Sequence, residues 1–78
     1  MTIEQLILIL EKKSDYGLEI TKQKGILTST WEIYKKGKFF YFFDVNEKIL
    51  FNDNRKYTRE ELIEEFKNSF FRIDCELF

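Results

Sequence analysis

The residues able to move protons, hold metals or attack electrophiles are few in this chain, and they stand apart. There is no histidine, hence no imidazole base, no Ser-His triad and no histidine metal ligand. The closest carboxylate groupings are Glu60/Glu61 and Glu64/Glu65. Paired carboxylates can do acid–base work, but these lie one turn apart on a single helix face, where charged residues ordinarily meet solvent. Asn52, Asp53 and Asn54 gather three oxygen-bearing side chains. Without a positioned glutamate they read as turn chemistry rather than a cation loop. The single Cys75 excludes an internal disulfide and a multi-cysteine zinc site. It occupies an alternating apolar position with no neighbouring base, so it reads as a buried packing residue. No phosphate-cradling glycine loop, nucleophile elbow or CxxC pair occurs. We therefore expect no catalytic residue, no cofactor and no metal: the chain is not an enzyme.

What remains is binding. The chain has 78 residues, with 13 basic and 14 acidic side chains and a formal charge of -1. A domain this small buries only about 60–65% of its unfolded surface. Yet it carries nine Phe, four Tyr and one Trp, each able to bury roughly 150–250 Å². So many rings overfill one small core. Some are expected at a surface that meets a protein partner or, in a homodimer, a second copy.

The elements that must position these residues follow from spacing. Met1–Ser14 reads as a helix: Thr2 and Gln5 form a capping box, and Ile3, Leu6, Ile7 and Leu10 follow at helical intervals. Leu8 and Ile9 widen its apolar arc, which predicts cover on more than one side; a strand over Leu6–Leu10 is the rival reading. Leu18–Lys24 and Ile26–Tyr34 read as strands joined at Gly25, with Leu27, Ser29, Trp31 and Ile33 on one face. Lys35–Lys38 makes the next turn. Phe39–Val45 is a strand apolar on both faces, which predicts cover on both. Ile49–Phe51 reads as a fourth strand after a turn around Asn46. Thr58 and Glu61 form a second capping box, with Tyr57 and Leu62 as its hydrophobic staple. Leu62, Ile63 and Phe66 form the buried stripe of the helix that follows. The tail Phe71–Leu77 fits both a continued helix and an alternating strand; we take a helix, a stop at Asn68 and an edge strand. The fold class is α+β: residues 1–78 form one domain, a four-stranded antiparallel meander with two helices, α-β-β-β-β-α, and a fifth strand at the C-terminus.

Three surfaces follow from this topology. Tyr34, Phe40, Phe42 and Leu50 share a sheet face with Ile26 if the strands pair as drawn, and an aromatic face left uncovered marks an interface. One helix on each face would bury them instead. Glu60, Glu61, Glu64 and Glu65 form an acidic helix flank for a protein partner. Alternate turns of a meander share an end, so Lys35, Lys36, Lys38, Arg55, Lys56, Tyr57 and Arg59 gather there with Lys12, Lys13 and Tyr16. Such an end could bind nucleic acid through phosphate contacts and ring stacking, although the overall acidity, pI ≈ 5.5, opposes non-specific binding.

The chain is free of Ala and Pro and rich in Lys, Ile, Phe, Asn and Glu, the products of A/T-rich codons. In size and composition it resembles small proteins from mobile elements of A/T-rich bacteria, anti-CRISPR proteins of phages among them. That resemblance implies a non-enzymatic inhibitor or regulator that binds a larger nucleic-acid-handling complex. The alternatives are a nucleic-acid-binding accessory protein and a homodimeric structural protein. One free cysteine fits a reducing, cytoplasmic setting, and no apolar run approaches a membrane span.

Overall fold

Both capping boxes form, and they fix where the two helices begin. The computed structural model describes residues 1–13, 15–46 and 53–77. Helix α1 spans Ile3–Leu10, and Thr2 accepts from the Gln5 amide while the Gln5 side chain accepts from the Thr2 amide. It ends with the apolar run, short of the expected Met1–Ser14. Lys12 and Lys13 bond back to the Ile9 and Leu10 carbonyls, a tightened last turn that lets the chain reverse into the sheet. Strands β1 (Asp15–Lys24) and β2 (Leu27–Lys36) form a ten-residue hairpin, and β3 (Phe39–Asp44) pairs with β2. Each two-residue turn starts with a glycine at positive φ, Gly25 at 63° and Gly37 at 62°. That is the geometry a tight hairpin needs and an L side chain resists.

A 3-10 turn at Asp53–Arg55 leads into β4, Lys56–Tyr57, which pairs with β3. The strand expected over 49–51 lies outside the described residues. Helix α2 spans Arg59–Phe66, capped by Thr58 and Glu61, and β5 spans Phe70–Glu76. The tail is thus an edge strand. It lies antiparallel to β1, completing the sheet order β4-β3-β2-β1-β5.

Register decides which side chains share a face. Leu18 pairs with Ile33, Ile33 with Phe42, Phe40 with Tyr57, and Ile20 with both Trp31 and Ile73. These residues join Ile3, Leu6, Ile7, Leu10, Leu62 and Phe66 in one core, so both helices cover the same face of the sheet. Leu8 stays 56% exposed, contrary to the expected wider arc, because α1 packs on one side only.

The opposite face carries Glu19, Thr21, Thr30, Glu32, Tyr34, Tyr41 and Phe43. Tyr34 and Phe43 are nonetheless buried there, stacked at 5.9 Å and 13°. The Tyr34 hydroxyl donates to Glu32 Oε1 at 2.6 Å. Burial first, and this hydrogen bond second, push the Tyr34 phenol well above its ordinary range. A buried phenol without a partner would be costly; here it has one.

Candidate functional site

Helix α2 is amphipathic in a simple way. Leu62 and Phe66 are buried and Ile63 is half-buried, while Glu60, Glu61, Glu64 and Glu65 are all exposed. With Lys56 and Tyr57 of β4, the four glutamates line a shallow concavity of ≈ 480 Å³. The two elements meet because the capping residue follows β4 directly, so the strand leads straight into the helix. Glu61 accepts from the Thr58 amide at 2.8 Å, and Glu64 pairs with Lys67 at 3.0 Å. Glu65 lies within electrostatic reach of Lys22. Among the described residues no group of three Cys, Asp or Glu side chains is arranged to hold a metal. The concavity presents four carboxylates, with Lys56 also in its lining.

The expected basic end is assembled by register. Phe40 lies between Lys35 and Tyr57, and Tyr41 between Tyr34 and Lys56. Acidic groups join it. Arg59 pairs with Glu11 at 3.5 Å, and Lys13 pairs with Glu76 at 3.2 Å while lying 4.4 Å over the Tyr16 ring. Lys56 lies 4.1 Å over the Phe39 ring. Lys36 and Arg55 also have partners, and Asp15 stands across from Lys36. Lys12, Lys35 and Lys38 complete the group. The charge at this end is mixed, which weakens its pull on a polyanion.

The aromatic face is corrected. Phe40 and Phe42 are 2% and 0% exposed, under the helices. Tyr34 lies on the other face with Tyr41 and Phe43, because it pairs with Tyr41 and not with Phe40. Leu50 lies outside the described residues, as does Asn52. Ile26 is not on the sheet face at all but in the hairpin turn. Tyr34 does not form one patch with Phe40 and Phe42.

Cys75 is exposed, not buried as its alternating position predicts. A bulge between Glu19 and Ile20 is the reason: Ile73 pairs with Ile20, but Cys75 pairs with Glu19. The extra residue, Asp74, switches Cys75 to the face away from the helices.

Two charged clusters escape sequence spacing. Lys22 Nζ lies 4.3 Å over the Trp31 ring and 5.3 Å over Phe66, closing the edge of the core with a cation on two rings. Burial lowers its pKa, with Lys24 adding to the effect and Asp44 and Glu65 opposing it. Its place two residues past Ile20 on an alternating strand is the one sequence signal. The second cluster holds β5. Glu76 is kept below the ordinary carboxylate range by the Tyr16 hydroxyl and then by Lys13. Asp74 is kept below it by the Thr21 hydroxyl, at 2.7 Å, and then by Arg72.

A depressed carboxylate stabilises the fold above its unfolded pKa and loses that contribution as the pH falls through the folded value. The melting temperature is therefore expected to drop as the pH is lowered below about 4. Asp74→Asn with Glu76→Gln should flatten that drop, as thermal melts from pH 6 to pH 2.5 would show. An equally steep acid dependence in the double variant would contradict the assignment.

Among the described residues no helix is long and apolar enough to cross a membrane. Comparison of the chain with protein-family models, with curated proteins and with solved structures finds no match.

Proposed function

We propose that this protein is a small non-enzymatic binding module, an inhibitor or regulator of a larger nucleic-acid-handling complex, in the manner of anti-CRISPR proteins. The acidic outer flank of α2 is its contact surface. The partner surface is basic, and Glu60, Glu61, Glu64 and Glu65 compete there for Lys and Arg side chains that otherwise hold phosphates.

One observation carries the reading: four exposed carboxylates stand on the outer flank of a helix whose inner stripe, Leu62 and Phe66, is locked into the core. Stability accounts for only part of this arrangement: Glu61 closes the capping box and Glu64 pairs with Lys67, but the rest runs against it. Glu60/Glu64 and Glu61/Glu65 are like-charge pairs four residues apart, each mildly destabilising in a helix. Glu64 and Glu65 also lie toward the negative end of the helix dipole, an unfavourable place partly offset by the C-cap residue Lys67, which pairs with Glu64.

The test is capture of partners by the tagged full chain, with and without nuclease, beside the variant carrying Gln at positions 60, 61, 64 and 65. A glutamine in place of Glu61 can still serve the capping box, and an exposed pair such as Glu64–Lys67 contributes little, so the variant should fold. We expect a stoichiometric protein partner that survives nuclease and is lost, at least tenfold, from the variant. Capture dominated by nucleic acid and abolished by nuclease would overturn the reading and point to the Lys35–Lys38 end.

A further inference from the structure

The β1–β2 hairpin outruns its neighbours. Strand β5 pairs with β1 only as far as Gln23, and the chain of β3 follows β2 only as far as Thr30, whose carbonyl accepts from the Val45 amide at 3.3 Å. Among the described residues no strand flanks the last part of the ribbon, from Lys24 through the turn to Ser29. At its tip Ile26 is 97% exposed and Leu27 72% exposed, the two most exposed large apolar residues described. Turn positions favour Gly, Asn, Asp and Ser, and a β-branched residue followed by leucine in open solvent serves neither the turn nor solubility.

The tip is also held rigid. Lys24 and Leu27 pair directly across it, Gly25 supplies the positive φ, and Gln23 Nε2 donates to the Gly25 carbonyl at 3.3 Å. A rigid tip loses little entropy on binding.

We propose that this tip is a protein-docking anchor, with Ile26 and Leu27 entering an apolar pocket on a partner protein whose rim carries carboxylates. Shape and charge select that occupant. A projecting pair of aliphatic side chains is the complement of a pocket, the setting in which binding energy concentrates. Between Glu19 and Glu32 the chain holds Lys22 and Lys24 and no carboxylate, although the whole protein is acidic. Lys24 stands beside Leu27, where a carboxylate on the pocket rim would meet it. A second copy meeting this one tip to tip would set Lys24 against Lys24, a like-charge contact, so a second copy is not the occupant. One lysine at the tip is too little charge to hold a nucleic acid or an anionic bilayer. This proposal rests on the hairpin and stands apart from the α2 reading.

The experiment places photoreactive benzoylphenylalanine at position 26 of the full chain and, as a control, at position 38 on the other hairpin turn. Both proteins are irradiated in bacterial lysate after nuclease treatment. The expected result is one protein adduct, at least tenfold stronger from position 26. Its cross-linked peptide should lie in an apolar pocket bordered by Asp or Glu. Leu27→Ser and Lys24→Glu should each cut the yield at least fivefold while leaving circular dichroism unchanged. Equal yields from positions 26 and 38 would overturn the proposal, as would an adduct indifferent to both substitutions. It also falls if the adduct is a second copy of this chain. Flotation with phosphatidylcholine–phosphatidylserine vesicles that depends on Ile26 would overturn it too, assigning the tip to a lipid surface.

Discussion

Phe42→Ala is expected to leave the protein at the margin of folding. Phe42 is fully buried and lies at the centre of the ring cluster, 4.8 Å from Trp31, 4.2 Å from Phe66 and 5.9 Å from Phe71. It joins β2, β3, α2 and β5 through one side chain. A buried Phe→Ala change costs about 3–5 kcal/mol, while a chain of this length is stable by only about 4–12 kcal/mol. For so small a domain the melting temperature should fall by more than about 12 °C. Phe39→Ala is the control: that ring is half-buried on the opposite face beneath Lys56 and should cost far less. Urea denaturation of both variants, followed by Trp31 fluorescence, measures the difference. Equal losses would mean that the core is not on the helix-covered face.

Gly17→Ala is expected to destabilise by about 1–3 kcal/mol, the usual cost of forcing extra volume into a packed site. A Cβ at position 17 would lie 2.6 Å from both Cδ1 and Cε1 of Tyr34, with Leu77 Cβ at 3.4 Å. Gly17 and Tyr34 are register partners on adjacent strands, so the ring lies across the bare glycine backbone. It has little room to withdraw, since its hydroxyl is bound to Glu32 and its face is stacked on Phe43. The effect is one of contact rather than of backbone conformation. Removing the ring should therefore remove the penalty. In a double-mutant cycle, Gly17→Ala should cost much less in a Tyr34→Ala background. Additive losses, measured by the same urea titrations, would contradict this packing.

These two sites also show where sequence stops being legible. Local signals are readable because they are complete within a few residues: Thr2–Gln5, Thr58–Glu61, the glycines at 25 and 37, and the alternation through β2 and β5. The fold class follows from them. The pairing of one element with another does not. Phe39–Asp44 is apolar on both faces, so nothing within it says which face the helices cover. That choice depends on Ile33 pairing with Phe42 and Tyr34 with Tyr41. The tyrosine over Gly17 likewise exists only through register. Cys75 is displaced from its expected face by a single extra residue in β5, which no local pattern announces. The exposed hairpin tip is hidden from sequence because projection depends on where the neighbouring strands end. The acidic flank of α2 is readable because one helical period puts its four glutamates outside the Leu62–Phe66 stripe.

The salt dependence of partner binding tests the central claim most directly. The affinity of the captured protein partner for the wild-type chain, and for the chain with Gln at 60, 61, 64 and 65, would be measured from low to high salt. If α2 competes for basic side chains, wild-type affinity falls steeply with salt, and the variant binds more weakly with a much shallower dependence. Unchanged affinity together with an unchanged salt dependence would contradict the account.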